Sequence, residues 1–200
     1  MLPVSSVTLS ASPASPRLVR RRLLSVIMQN DCKPLLYSHY DVTFQEVPGE
    51  TSLVLEITGC PHHCPDCHSK FLWEYSGSPA AQDLPKLIQK YDGLITCVCF
   101  MGGDQNILEL MQLAQFCHEN HLKTCVYSGC ILDEFVALIP ERNFAANMSL
   151  FDYVKVGPYI KECGGLDSPT TNQVFYKKVQ GGYHNAQYEP ANYLFKKEYK

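Results

Sequence analysis

The densest group of reactive side chains is Cys60-Pro61-His62-His63-Cys64-Pro65-Asp66-Cys67-His68, three thiols at x3 and x2 spacing in a stretch whose prolines favour a loop. Thiols this close in sequence can grip one inorganic centre, and two chemistries suit them. Three thiolates can hold an iron–sulfur cubane and leave one iron open to another molecule. Alternatively, the three cysteines with His62, His63 or His68 close a tetrahedron around zinc. The first arrangement is a working centre and the second a structural one.

Three smaller motifs follow. In Gly102-Gly103-Asp104 the absence of Cβ atoms lets the backbone approach a ligand closely, although the same tripeptide is an ordinary turn. Ser128-Gly129 offers a hydroxyl that either meets a ligand or closes a turn. Asn172-Gln173 is either a substrate or partner contact or a polar surface loop. The remaining cysteines carry less. Cys97 and Cys99, two apart in an apolar run, share one face of a strand, and Cys117 and Cys125 fit a helix face and a strand. Cys32, Cys130 and Cys163 are too scattered to spell a second metal site.

These motifs need elements to hold them. From Thr51 onward, short apolar runs alternate with helical patterns, the signature of βα units around a mostly parallel sheet. Strands are predicted at Leu53–Ile57, Leu94–Phe100, Thr124–Tyr127 and Phe151–Val156, with a late one over Tyr193–Tyr199. Helices are predicted where Leu84, Leu87, Ile88 and Tyr91 share a face, from Ile107 to Cys117 with Asp104 as N-cap, and from Leu132 to Ile139. Active sites of parallel α/β sheets lie at the carboxyl ends of strands. Gly59-Cys60, Gly102-Gly103-Asp104, Ser128-Gly129 and Gly157-Pro158 each follow such an end.

Composition bounds the rest. Two hundred residues with 46% hydrophobic and 18% charged residues suit a single globular domain. A net charge of −3 supplies no field to draw nucleic acid or an anionic membrane, and no apolar run is long enough to span a bilayer. Ten cysteines, mostly inside apolar runs, point to a reducing, cytoplasmic compartment. The first 30 residues differ: no Asp or Glu, six serines, three prolines and four arginines. They are expected to be disordered, either a transit peptide or, preferably, an extension outside the fold. The domain boundary is placed so that 1–39 is extension and 40–200 the catalytic domain.

The cysteine spacing resembles the hallmark of the radical S-adenosylmethionine superfamily. Within it, Thr58–Ser69 with Trp73 is similar to the activating proteins of anaerobic ribonucleoside-triphosphate reductases. Phe100–Asp104, Tyr127-Ser128-Gly129, Lys155–Tyr159 and Thr170–Gln173 resemble that family's segments in order, so the likeness covers roughly two thirds of the chain. The resemblance implies a partial (βα) barrel and a [4Fe–4S] cluster on Cys60, Cys64 and Cys67. S-adenosylmethionine would be the second cofactor, with its amino group at Gly102, Gly103 and Asp104 and its ribose at Ser128. Asp66 would lie beside the adenine, where the superfamily commonly places an aromatic residue.

The implied activity is that of an oxidoreductase. Electrons would come from a donor such as flavodoxin or ferredoxin, and the product would be a stored glycyl radical on the large subunit of the reductase. A small-molecule radical enzyme of the deazapurine-synthase kind shares the cluster loop, but Tyr127-Ser128-Gly129 and Thr170-Thr171-Asn172-Gln173 argue against it. A noncatalytic iron–sulfur carrier or a zinc module is the alternative from another class. If residues before Met28 lie outside the catalytic fold, deleting them leaves S-adenosylmethionine cleavage unchanged; loss of soluble folded protein on truncation contradicts this.

Overall fold

The computed structural model describes residues 33–180 and 187–196. Residues 1–32 of the predicted extension, with Cys32, and residues 197–199 of the predicted late strand lie outside these.

Four strands form the centre. β2 (Ser52–Ile57), β4 (Cys97–Met101), β5 (Lys123–Tyr127) and β6 (Tyr153–Val156) run parallel in that spatial order. Strands covered on both faces read as continuous apolar runs, which is why the sequence betrays them. Leu55, Phe100, Val126 and Val154 stand in one cross-strand row and Val54, Cys99, Cys125 and Tyr153 in the next, facing opposite sides of the sheet. The helices α1 (Ala80–Lys90), α2 (Ile107–Glu119), α3 (Leu132–Leu138) and α4 (Phe144–Met148) all contribute buried residues to the first side, among them Leu84, Leu110, Phe135 and Met148. The second side holds a smaller cluster closed by Val47, Phe175 and Ala191.

The flanks correct the expected architecture. β1 (Leu36–Thr43) pairs antiparallel with β2 and with β3 (Ser78–Pro79), while β7 (Val174–Gln180) pairs antiparallel with both β6 and β8 (Gln187–Pro190). The result is one mixed eight-stranded sheet, β3-β1-β2-β4-β5-β6-β7-β8, in which antiparallel pairings outnumber parallel ones by four to three. A partial (βα) barrel with a mostly parallel sheet is therefore not what forms. The physical reason is that the outer strands enter through neighbouring antiparallel pairings, with no crossover helix to leave an amphipathic signal.

Two local expectations also change. The N-cap of α2 is Asn106, whose side chain accepts from the Glu109 amide at 3.2 Å, and Asp104 instead opens the preceding 3₁₀ turn. At the other end of the chain, Asn192–Phe195 is a 3₁₀ turn rather than the start of a strand. Glu109 is fully buried, and its Oε2 accepts from the Leu35 amide at 2.8 Å and from Asn106 Nδ2 at 3.1 Å, fastening α2 to the chain entering β1. No helix among the described residues is long and apolar enough to cross a membrane.

Asp152 clamps the edge of the sheet away from the site, taking bonds from the Thr124 amide (2.9 Å), His118 Nε2 (2.9 Å) and Lys178 Nζ (2.7 Å). Burial pushes its carboxyl up, but those donors outweigh burial and hold it below the usual range. A carboxylate depressed in the fold adds stability that is present above its unfolded value, about 4, and is lost as pH falls. Melting temperature is therefore expected to drop on acidification below about pH 4, and Asp152→Asn to be less stable at pH 7 with a flatter acid profile. Thermal melts of both proteins across that range check it.

Candidate metal centre

Because β2, β4, β5 and β6 lie side by side and point the same way, the loops after them meet on one edge. Backbone bonds stitch them together. The Gly102 amide donates to Tyr127 O (2.8 Å), the Ser128 amide to Lys155 O (2.8 Å) and the Gly157 amide to Cys130 O (2.6 Å). Gln105 joins two of these ends by giving Nε2 to Thr58 O at 2.8 Å and accepting the Gly103 amide at 3.2 Å.

The cysteine loop leaves β2 through Gly59, which has φ +77, and is pinned where the Cys60 amide donates to Leu72 O at 3.0 Å. Within it the Cys67 amide donates to Cys64 O at 3.0 Å, and the Ser69 amide reaches Cys67 Sγ at 3.3 Å. Cys60, Cys64 and Cys67 are all free and partly exposed. Burial raises the Cys60 thiol, an effect opposed by the amides of His62 and His63.

The loop histidines have other partners. His63 stacks on Trp73 with ring centroids 4.7 Å apart, His68 tilts against Tyr159 at 4.6 Å, and His62 Nε2 sits 2.8 Å from Asp104 Oδ2. Among the described residues the loop thiols do not draw together with His62, His63 or His68 at the spacing of a tetrahedral zinc set, so the three thiols suit a cubane better.

Asp104 is the hinge of the polar side. Its Oδ2 also accepts from Ser128 Oγ at 2.5 Å, and Ser128 Oγ in turn accepts the Cys130 amide at 3.0 Å. Burial raises the Asp104 carboxyl, but His62 and Ser128 hold it below the ordinary carboxylate range; the same Asp104 bond raises His62 against its own burial. Lys155, 8% exposed within β6, donates to Gly157 O at 2.8 Å. Burial brings its ammonium down to about 8, while charge at Cys64, Cys67, Asp104 and Cys60 pulls it back up. Lys155 thus brings a buried cation to the side of the sheet edge that carries the three-thiol loop.

Residues 47–163, more than half of the chain, match the family described as "4Fe-4S single cluster domain". The chain belongs to that family. It is also similar to the anaerobic ribonucleoside-triphosphate reductase-activating protein of Salmonella typhimurium (strain LT2), 28% identical over 131 residues that make up 60% of this chain and 79% of that relative. No solved structure matches.

In this 4Fe-4S single cluster domain, Asp104 and Ser128 are brought into direct contact, whereas Asp66 stands exposed on the loop outside that hydrogen-bonded group. Gly102 and Gly103 follow β4 with φ +100 and +106. A Cβ on Gly103 would come 3.1 Å from Leu110 Cδ1, and one on Gly102 would come 3.3 Å from Ile57 O, so each glycine answers to backbone hand and packing beneath the site.

Sequence reasoning passed over Gln105, quoted Lys155 only as the start of a family-like segment with no role of its own, and left His62 as only one of three possible zinc ligands. Lys155 had a usable signal, a single charge inside the apolar run Tyr153-Val154-Lys155-Val156. Gln105 had none.

With three thiols as the donor set, the Ala variants of Cys60, Cys64 and Cys67, each alone, are expected to lose the iron that anaerobic reconstitution loads, about four atoms per chain. Iron and zinc analysis checks this, and stoichiometric zinc without iron uptake would contradict it.

Proposed function

We propose that this chain is a radical S-adenosylmethionine activating enzyme that generates the glycyl radical of an anaerobic ribonucleoside-triphosphate reductase. The observation that carries the proposal is the three-thiol loop of a single-cluster domain, seated at the ends of four parallel strands beside Asp104 and Ser128. The Salmonella typhimurium relative is named for activating such a reductase, which suggests the target.

Cys60, Cys64 and Cys67 would hold the [4Fe–4S] cluster. When bound, that cluster supplies one electron to the sulfonium of S-adenosylmethionine, giving methionine and a 5′-deoxyadenosyl radical. The chain's own residues bind and orient. Gly102, Gly103 and Asp104 receive the methionyl amino group, and the depressed carboxyl of Asp104 keeps it anionic to meet an ammonium. Ser128 turns its hydroxyl to the ribose, and Asp66 lies on the adenine side. Lys155 keeps a buried positive charge beside the thiolates and helps to exclude water.

The partner presents its C-terminal glycine at the strand-end edge. A flavodoxin or ferredoxin in the cytoplasm supplies the electron.

The test mixes reduced enzyme, S-adenosylmethionine and the same organism's anaerobic reductase without oxygen. The expected product is a glycyl-radical doublet in electron paramagnetic resonance, absent when the reductase glycine is changed to alanine. Cleavage of S-adenosylmethionine with no doublet would remove the reductase from the proposal and bring forward the small-molecule alternative.

A further inference from the structure

Beside the three-thiol loop lies a second convergence of metal-binding side chains that the cluster does not use. His62 Nε2, Asp104 Oδ2 and Cys130 Sγ fall within 4.8 Å of one another. Their separations are 2.8 Å for His62–Asp104, 3.7 Å for Cys130–Asp104 and 3.9 Å for Cys130–His62. Three ligands of a tetrahedral zinc ion, with bonds of about 2.0–2.3 Å, stand about 3.3–3.5 Å apart. The triad needs shifts of only about half an ångström to reach that spacing.

The three donors come from separate elements: the loop after β2, the 3₁₀ turn after β4 and the loop after β5. Gly129 is what lets them meet, because a Cβ there would lie 2.5 Å from Cγ and Cδ2 of the His62 ring. Ser128 supplies the outer hydrogen bond that ligating carboxylates usually have, giving Oγ to the same Asp104 oxygen at 2.5 Å. Asp104 is buried, with 3% of its side chain exposed, and His62 is partly open at 21%, so an ion has a route in to a held carboxylate.

We infer that His62, Asp104 and Cys130 form a binding site for a single borderline divalent transition-metal ion of the Zn²⁺ or Fe²⁺ kind, separate from the cluster. One imidazole, one carboxylate and one thiolate, with a water completing the tetrahedron, select such ions over Mg²⁺ or Ca²⁺, which prefer all-oxygen sets. The site rests on this geometry alone. Its consequence for catalysis rests on the proposed function: a metal on Asp104 Oδ2 neutralises the carboxylate that would meet the methionyl ammonium, so the ion weakens the binding of S-adenosylmethionine.

The probe is Co²⁺ added to the full chain with Cys60, Cys64 and Cys67 changed to serine, which removes the cluster donors. The expected result is uptake of a single Co²⁺ with tetrahedral visible bands and a thiolate charge-transfer band, displaced by Zn²⁺ but not by Mg²⁺. Adding Cys130→Ser abolishes the charge-transfer band, and Ser128→Ala weakens binding about tenfold to a hundredfold. Uptake indifferent to both changes overturns the site.

Since serines in the loop can disturb His62, the cluster-loaded wild-type protein gives a second measurement. Zn²⁺ is expected to raise the apparent dissociation constant for S-adenosylmethionine in equilibrium dialysis, and Cys130→Ser to remove that effect. Zn²⁺ without influence in the wild type, together with no Co²⁺ uptake, sinks the metal site and leaves the radical chemistry standing. Co²⁺ bound as described while S-adenosylmethionine binds undisturbed keeps the metal site and removes Asp104 from the proposed amino-group contact.

Discussion

A cubane-sized centre can be gripped and faced by several polar groups only if their backbones arrive from one side, and the parallel run of β2, β4, β5 and β6 meets that constraint. Each of these strands delivers its following loop to the same edge. The register fixes the spacing between loops: Leu55, Phe100, Val126 and Val154 stand abreast, so Gly59, Gly103, Ser128 and Gly157 emerge within a few residues of one another along the sheet. The row is locked by burial against α1 and α2, and a slip of one residue would turn those side chains out of the core. Packing energy on the helical side thus sets the geometry of the polar side.

Electrostatics at that edge work as a pair of opposed charges under poor solvent screening. Asp104 remains anionic because His62 and Ser128 donate to it, and Lys155, which burial brings down to about 8, is drawn back up by the acidic groups near it. Neither charge would persist at that depth alone. The His62–Asp104 contact also ties the cysteine loop to the end of β4, making loop position and carboxylate position one problem rather than two.

The sequence was most legible where chemistry or periodicity is concentrated. The thiol spacing at Cys60, Cys64 and Cys67 announced a metal centre, and the helices over 80–90, 107–119 and 132–138 follow apolar stripes that can be counted. The parallel strands were visible because both faces are buried. β1 and β8 were not. Leu36–Thr43 mixes Ser38, His39 and Asp41 with its apolar residues and keeps much of one face exposed, and Gln187–Pro190 is largely exposed. Those strands owe their place to pairing with a neighbour, a property of the partner strand as much as of their own residues, and missing them turned a mixed sheet into an expected barrel. His62 was legible as a ligand type but not as a partner of Asp104, since a contact across 42 positions has no local signature.

The sheet's second side bears on how such a protein survives air. Cys97, Cys99 and Cys125 line it without a water-exposed atom between them, and Cys117 is sealed on the helical side. Burial raises the thiols of Cys97, Cys117 and Cys125 far enough to keep them protonated. Peroxide and disulfide exchange act on thiolates that solvent can reach. Oxidative injury is therefore steered to the partly exposed thiols, Cys60, Cys64 and Cys67 in the loop with Cys130 and Cys163, whose sulfenic acids and disulfides a thiol reductant reverses, while the framework beneath escapes cross-linking. The fold confines damage to the loops at its rim and spares the sheet that positions them.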